Sequence, residues 1–482
     1  MVLDWRQVSN INLKWISISE LLIRIFKIVS TLCVVRFIGP EQYGAYVYAF
    51  AFGALFSIIY DPGISIFVLR LFGRRPKMSK YFPEMLLLKL FFLTLGLAAA
   101  LTLIFSGALG GREEILLFIA VILFCLINEL LNFLFVSLRG RGQTKTEANY
   151  RFWYSLFSLV FVFWASLFMK TAMSVVIAQL VTSVLFFAFF HKKMTVNYHF
   201  SRAEVKNRKK IFNLLLIKSL PFAGVNAALI IYSNIDILIL GAFFDETAIG
   251  SYGAVIRLFM LAQLPVVIVA QTIYSSLGRD IANKSYALKS KWIEIYELIF
   301  LACVLAMLLL FFEGNNLILL IGGSEFSSSV EMVLVMLVGV PGYFTFPIFA
   351  QLLIMSGKLK LCSVIYLLFS FFLGAGLYLA GLYGNFNLGL QTLAVMHLLL
   401  SLTLGAFLKR ELRLQLVFPL ITVKNARFLL ICVSAFSFAH FWELSIAMRC
   451  VVLVPVVLVA LWYYSSGNES LKRLVFGLNP LR

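Results

Sequence analysis

Long apolar segments separated by short polar ones recur along the whole chain. Most are 18 to 28 residues long, and one membrane crossing by a helix needs about 20 apolar residues. Strands of a membrane barrel would need only about 9–11. The pattern predicts an all-α polytopic membrane protein with about 14 transmembrane helices, although the last pair is the weakest and twelve or thirteen stay open. The predicted spans are 15–37, 42–69, 82–105, 115–138, 152–170, 172–190, 213–240, 249–277, 292–312, 331–355, 361–380, 389–408, 427–443 and 445–464.

Composition narrows the class of protein further. Hydrophobic residues make up 62% of the 482 residues and charged ones 13%, against roughly 45–50% and about 25% in soluble domains. This excludes a soluble enzyme and a disordered chain. The sequence has no nucleotide-binding, metalloprotease or hydrolase motif, and its six cysteines include no CxxC pair. We therefore expect no enzyme activity, no metal and no cofactor.

Basic residues predict the orientation in the membrane. If the N-terminus is cytosolic, the loops on that side carry 32 Lys and Arg residues and the opposite side only four. Such an asymmetry is a strong positive-inside signal, so both termini should face the cytosol. The basic string KNRKK (206–210) falls in a short cytosolic loop, which favours contact with anionic lipid headgroups over a nucleic-acid role.

Two turns of the sequence resemble each other at a fixed spacing. FIGPEQYGAY (37–46) and FFDETAIGSY (243–252) share Phe, Gly and Tyr at an offset of 206, and RGQTK (141–145) echoes SGKLK (356–360) at an offset of 215. We interpret this as two six-helix lobes in parallel repeat, 1–205 and 206–408, with an additional helix pair and cytosolic tail at 409–482. The alternative is that any external turn favours glycine and acids.

Three stretches carry a family resemblance: RFIGPEQYGAYVYAF (36–50), IIYDPGISIFVLR (58–70) and SLPFAGVNAALIIYSNIDILILGAFFDETAIGSYGAVIRL (219–258). They resemble the Wzx-type polysaccharide flippases of the multidrug/oligosaccharidyl-lipid/polysaccharide exporter (MOP) superfamily. Pro62 inside the Asp-x-Gly, and the absence of a proline in IYSSLGR (273–279), depart from the family pattern.

The resemblance implies a function and a location. A flippase of this kind moves a polyprenyl-pyrophosphate-linked oligosaccharide from the cytosolic to the outer leaflet of the bacterial inner membrane. Its implied partners are that lipid-linked oligosaccharide, membrane lipids, and a polysaccharide polymerase with its assembly proteins. A cation-coupled multidrug exporter of the same superfamily, a peptidoglycan-precursor flippase and a non-transporting membrane scaffold stay open as alternatives.

Basic residues inside the spans are candidates for substrate binding, because a charge at the bilayer centre costs roughly 2.5–3.5 kcal/mol. Arg24, Lys27 and Arg257 could form a basic cavity for a pyrophosphate, with Lys89 and Lys218 at its inner mouth. For Lys89 and Lys218 we favour the simpler interpretation that they snorkel toward the cytosolic surface.

Acidic residues inside the spans are candidates for coupling or gating. Glu129 lies mid-span and could take up a proton during transport, or could neutralise a cation such as Lys27. The alternative for Arg24 is an ion pair with Glu20 on the same helix. Asp61 and Asp236 lie near span ends, where we expect a structural turn or a gate.

Overall fold

A computed structural model describes residues 10–74, 78, 81–106, 112–197, 208–282 and 287–412. Thirteen α-helices and two 3-10 turns are found in these ranges, and no strand. The helices are α1 (Asn10–Tyr60), α2 (Ile64–Arg74), α3 (Phe82–Phe105), α4 (Arg112–Gly140), α5 (Thr144–Phe168), α6 (Ala172–Asn197), α7 (Arg208–Phe243), α8 (Glu246–Ala282), α9 (Ala287–Gly322), α10 (Ser329–Met336), α11 (Val340–Met355), α12 (Leu359–Leu382) and α13 (Phe386–Leu412).

The all-α membrane architecture predicted from the sequence is confirmed. Ten helical segments in the described ranges are long and apolar enough to cross a membrane, and each corresponds to one of the predicted spans from 82–105 to 389–408. The first two predicted spans fall in α1 and α2. The last two, at 427–443 and 445–464, lie outside the described residues, so the total of 14 stays a prediction.

Two breaks shape the first helices. Gly39 has non-helical angles (φ 78°, ψ 168°) and is followed by Pro40, so α1 is two helices joined at a sharp turn. The second break separates α1 from α2 at residues 61–63, where Gly63 has a φ of 75°. Such a φ favours glycine. The predicted span 42–69 is therefore two helices rather than one.

The chain divides into two compact units. The first contains Met1–Gly253 and Leu359–Gly384, which hold α1 to α7, the beginning of α8 and α12. Within it, aromatic and aliphatic side chains of α1, α3 and α4 form a continuous buried cluster that includes Tyr60, Leu93 and Val121. A second cluster joins α2, α3 and α4 around Phe72 and Phe133.

The second unit contains Ala254–Lys358 and Asn385–Arg482, with the rest of α8 and with α9, α10, α11 and α13. The buried His397 ring of α13 stacks on Phe346 of α11 at 5.5 Å between ring centroids and meets the edge of Tyr343 at 5.3 Å. His397 thus packs these two helices together. The predicted lobes 1–205 and 206–408 are based on a repeat in the sequence, so the two compact units do not test them. The lobes stay a prediction.

Inside the first unit, the turn of α1 meets the start of α8 in a reciprocal backbone contact. A Cβ atom on Gly44 would lie 1.8 Å from the Glu246 carbonyl oxygen, and one on Gly250 would lie 1.8 Å from the Pro40 carbonyl oxygen. Both distances are far below a van der Waals contact, so only glycine fits at either position. Gly44 and Gly250, and also Pro40 and Glu246, are 206 residues apart.

Candidate functional site

A group of three charged side chains, here named the charge triad, lies buried in the first unit. Lys89 of α3 is fully buried, and its Nζ lies 3.1 Å from Glu129 Oε2 and 3.7 Å from Asp61 Oδ1. Lys89 is seven residues from the start of α3 and Glu129 eleven from the end of α4, or about 10 Å and 16 Å along the helices. The triad is therefore inside the apolar segments.

The break between α1 and α2 places Asp61 in this triad. Asp61 Oδ1 accepts a hydrogen bond of 3.1 Å from the Ser65 backbone N–H, which caps the first turn of α2. Asn226 Nδ2 of α7 donates to the Asp61 carbonyl oxygen at 3.4 Å. At Gly63, a Cβ would lie 2.9 Å from the Ser219 carbonyl oxygen, so α7 packs directly on the break.

Charge balance makes the triad a candidate for ion or proton exchange. Two carboxylates face one ammonium, so the fully ionised triad carries one excess negative charge in a largely buried place. An uncompensated buried charge is costly, and a proton or a passing cation would remove it.

A second group, here named the arginine cluster, joins α1, α4 and α5. The buried Glu147 carboxylate accepts a 2.8 Å hydrogen bond from Arg139 Nε and forms a 2.8 Å ion pair with Arg151 Nε. Arg139 Nη2 also reaches Glu20 Oε1 at 3.3 Å, and Arg151 Nη2 donates to Asn132 Oδ1 at 3.2 Å. The cluster ties the end of α4 to the beginning of α5 and to α1.

Two predicted substrate-binding residues lie beside this cluster. Lys27 is exposed and Arg24 half-buried, both on α1, which packs against α5. The charges of Arg151, Glu20 and Arg24 all act on the Lys27 ammonium. The rings of Phe26 and Phe152, 5.5 Å apart, hold the two helices together at this level. Arg24 and Lys27 together with the arginine cluster carry four positive and two negative charges.

The remaining predicted residues belong to α7 and α8. Arg257 is half-buried on α8 in the second unit, and its Nη1 lies 3.3 Å from the Met260 sulfur. Lys218 belongs to α7, but its side chain lies outside the described residues. Asp236 of α7 is buried, and its Oδ2 accepts a short hydrogen bond from the Tyr252 hydroxyl of α8.

Two expectations need correction, and one residue was missed. Lys89 does not snorkel, because two carboxylates hold its ammonium inside the protein. The suggested Lys27–Glu129 pair is also wrong, since the partner of Glu129 is Lys89.

Arg151 lies one residue outside the predicted span 152–170, so the sequence did not single it out, yet its charge acts on the Lys27 ammonium. Its position four residues after Glu147 was the available signal, because such residues share a helix face.

Comparison with known proteins decides the family. The family model for polysaccharide biosynthesis proteins matches residues 11–275, which is more than half of the chain. The chain belongs to this family. The three stretches that carry the sequence resemblance, 36–50, 58–70 and 219–258, all lie inside the matched range, so the match bears out a resemblance to polysaccharide biosynthesis proteins. Comparison with curated proteins gave no significant match.

Solved structures of MOP-superfamily transporters share the fold of this polysaccharide biosynthesis protein. The lipid II flippase MurJ in an inward closed conformation aligns with a TM-score of 0.66 at 13% identity, covering 95% of this chain and 99% of that chain. A multidrug resistance MATE family transporter in an inward-facing conformation gives 0.63 at 13% identity, covering 81% and 94%. A MOP superfamily transporter from Pyrococcus furiosus gives 0.55 at 13% identity, covering 83% and 95%.

Proposed function

We propose that the protein is a flippase that moves a polyprenyl-pyrophosphate-linked oligosaccharide from the cytosolic to the outer leaflet of the bacterial inner membrane. The family match to polysaccharide biosynthesis proteins is the observation that carries the proposal. The MOP-type fold supports a transport role, and the bias of Lys and Arg supports cytosolic termini. Transport proceeds by alternating access, in which the headgroup crosses through the protein while the polyprenyl tail stays in the lipid.

Arg24 and Lys27 bind the pyrophosphate in this proposal. They lie on α1 beside Arg151, and this surface has two more positive than negative charges when the arginine cluster is included. Guanidinium and ammonium donors match phosphate oxygens, and a partly dry environment strengthens the attraction. Arg257, in the second unit, and Lys218, on α7, are kept as substrate-binding residues on the basis of the sequence alone.

The charge triad couples transport to protons. Protonation of Glu129 removes the excess negative charge beside Lys89 and weakens the shorter of its two ion pairs. Because Asp61 lies at the break between α1 and α2, this change acts on the position of α2 against α7. Asp236 and Tyr252 form a second buried acid–hydroxyl pair that could gate the path.

Flipping can be measured in proteoliposomes with a fluorescent undecaprenyl-pyrophosphate-linked disaccharide and a membrane-impermeant quencher. Single replacements Arg24→Gln, Lys27→Gln and Arg257→Gln should each slow flipping about tenfold, the loss of about 1.4 kcal/mol expected for a charge-assisted hydrogen bond. The matched control is Arg410→Gln, an exposed arginine in the last turn of α13. Normal rates in all three variants would refute the binding assignment.

Coupling needs a separate measurement. Glu129→Gln should abolish the stimulation of flipping by an imposed pH gradient while leaving binding of the labelled lipid intact. If this variant still responds to the gradient, the triad does not couple transport to protons.

One alternative has a specific observation in its favour. The structural alignment with the lipid II flippase MurJ includes 99% of that chain, which supports a peptidoglycan precursor as a second candidate substrate. Running the same assay with labelled lipid II in parallel distinguishes the two. Faster flipping of lipid II than of the oligosaccharide would favour the alternative.

A further inference from the structure

A long groove lies between α5 and α6 in the first unit, apart from the charge triad. The groove, here named the α5–α6 groove, has a volume of about 1070 Å³ and is lined by α5 from Lys145 to Phe161 and by α6 from Thr182 to Phe189. Pockets for small ligands usually measure about 300–1,000 Å³. The space is therefore large enough for a ligand and is more than an ordinary gap between helices.

The two ends of the groove differ in chemistry. Lys145, Thr146 and Asn149 form one end, and aromatic side chains such as Trp153 and Phe157 form the walls beyond them. From Lys145 to Phe161, α5 rises about 24 Å, most of the roughly 30 Å apolar thickness of a bilayer. The groove thus matches an amphiphile that has a charged head at one end and a long apolar chain.

Lys145 gives the groove its charge complementarity. It lies in the first turn of α5, where the helix dipole disfavours a cation, so it does not stabilise the helix end. Among the residues that the structure describes, no carboxylate lies within 4.0 Å of its ammonium. The charge is therefore available for an anion at the mouth of the groove.

The bulk membrane is as apolar as the groove walls, so placing an ordinary lipid chain there gains little. A ligand is retained only if its head binds Lys145 and if its chain fits the preformed aromatic walls. A branched polyprenyl chain that ends in a pyrophosphate meets both conditions. A phosphatidylglycerol molecule carries one charged phosphate and two unbranched acyl chains, so it matches a groove with one basic end and one run of aromatic walls less well.

We propose that the α5–α6 groove binds the polyprenyl chain of the lipid-linked substrate, with the first phosphate at Lys145. The identity of the lipid rests on the proposed flippase function, whereas the binding site rests on the geometry of the groove. The groove holds the tail while the headgroup passes through the protein.

A photocrosslinking experiment tests the proposal without transport. The full chain is placed in nanodiscs of phosphatidylcholine and phosphatidylglycerol with a polyprenyl phosphate that carries a diazirine on its chain. Irradiation should label peptides of α5 and α6, and unlabelled undecaprenyl phosphate should compete. Lys145→Gln should weaken the apparent affinity about fivefold, which corresponds to about 1 kcal/mol for one basic residue at an anionic lipid surface.

Matched controls are available on α12. Lys360 is an exposed lysine in the first turn of α12, as Lys145 is in α5, and Lys360→Gln should leave labelling unchanged. Leu185→Trp should fill the groove and reduce labelling at least fivefold, whereas Leu368→Trp should not. Both leucines are more than half exposed, at 57% and 52%, so neither replacement should disturb folding.

Three results would overturn the proposal. They are labelling confined to other helices, equal competition by phosphatidylglycerol, and an equal effect of Lys145→Gln and Lys360→Gln. Because the assay measures binding alone, it separates this inference from the proposed function. A chain that binds the probe in the groove yet flips nothing refutes only the flippase proposal. A chain that flips the substrate with an unlabelled groove refutes only the inference.

Discussion

Replacing Lys89 with methionine should strongly destabilise the protein, because the change leaves Glu129 and Asp61 facing each other without their cation. At an effective dielectric constant of about 20, the distances of 3.1 Å and 3.7 Å give gross attractions of about 5 and 4.5 kcal/mol. Desolvation of the ammonium and repulsion between the carboxylates offset much of this. The net loss on removing one member of a buried pair is about 3–5 kcal/mol.

The free energy of unfolding, measured in mixed micelles by titration with a denaturing detergent, checks this value. The matched control is Lys358→Met, because Lys358 Nζ lies 2.6 Å from Glu411 Oε2 but is 45% exposed. Exposed pairs contribute about 0–1 kcal/mol. The double replacement of Lys89 by Met and Glu129 by Gln should lower the free energy of unfolding by less than the sum of the two single replacements. If Lys89→Met lowers the free energy of unfolding no more than Lys358→Met does, burial does not strengthen the ion pairs of Lys89.

Two further predictions concern contacts inside the first unit. Gly250→Ala should lower the free energy of unfolding by at least about 1–3 kcal/mol, because its Cβ would overlap the Pro40 carbonyl. The control Gly73→Ala meets nothing within 4 Å and should be neutral, so equal free energies of unfolding for the two variants would contradict this contact. Glu147→Gln should lower the free energy of unfolding by about 3 kcal/mol, because it leaves two arginines without their buried carboxylate, and Arg139 is partly exposed. Glu20→Gln should lower it by about 1 kcal/mol or less, because Glu20 is 38% exposed, and similar losses for the two would argue against the burial of Glu147.

Span positions could be predicted from the sequence because the physics of burial in a bilayer is local. An apolar segment of about 20 residues has few alternatives to a helix, since lipid offers no partners for backbone groups. The break at residues 61–63 was harder, because the segment around it is apolar throughout. The signal was Pro62, since a proline disfavours the helical conformation in the residue before it.

Partners of the charged residues could not be predicted in the same way. Lys89 is 28 residues from Asp61 and 40 from Glu129, and nothing local brings them together. Snorkelling is a sound general expectation for a shallow lysine, but it fails where neighbouring helices supply carboxylates. The arginine cluster depends likewise on the packing of α1 against α4 and α5, which apolar patterning leaves undetermined.

The echo between RGQTK and SGKLK has a structural counterpart. Gly142 and Gly357 both end a helix with a positive φ, of 80° and 83°. In each case the next residue donates its backbone N–H to the carbonyl five residues earlier, at 3.0 Å, which is the bond of a Schellman cap. The shared cap lies at the same offset of 215 residues, and the repeat itself stays a prediction.

The contact of Gly44 with Glu246 and of Gly250 with Pro40 joins two backbones without any intervening side chain. Interlocked side chains resist rotation, because they must leave one set of holes and enter another. Bare backbones in contact resist separation but present a smooth surface to each other. The junction between the α1 turn and the first turns of α8 therefore depends on two glycines, and its spacing is set by the backbones themselves.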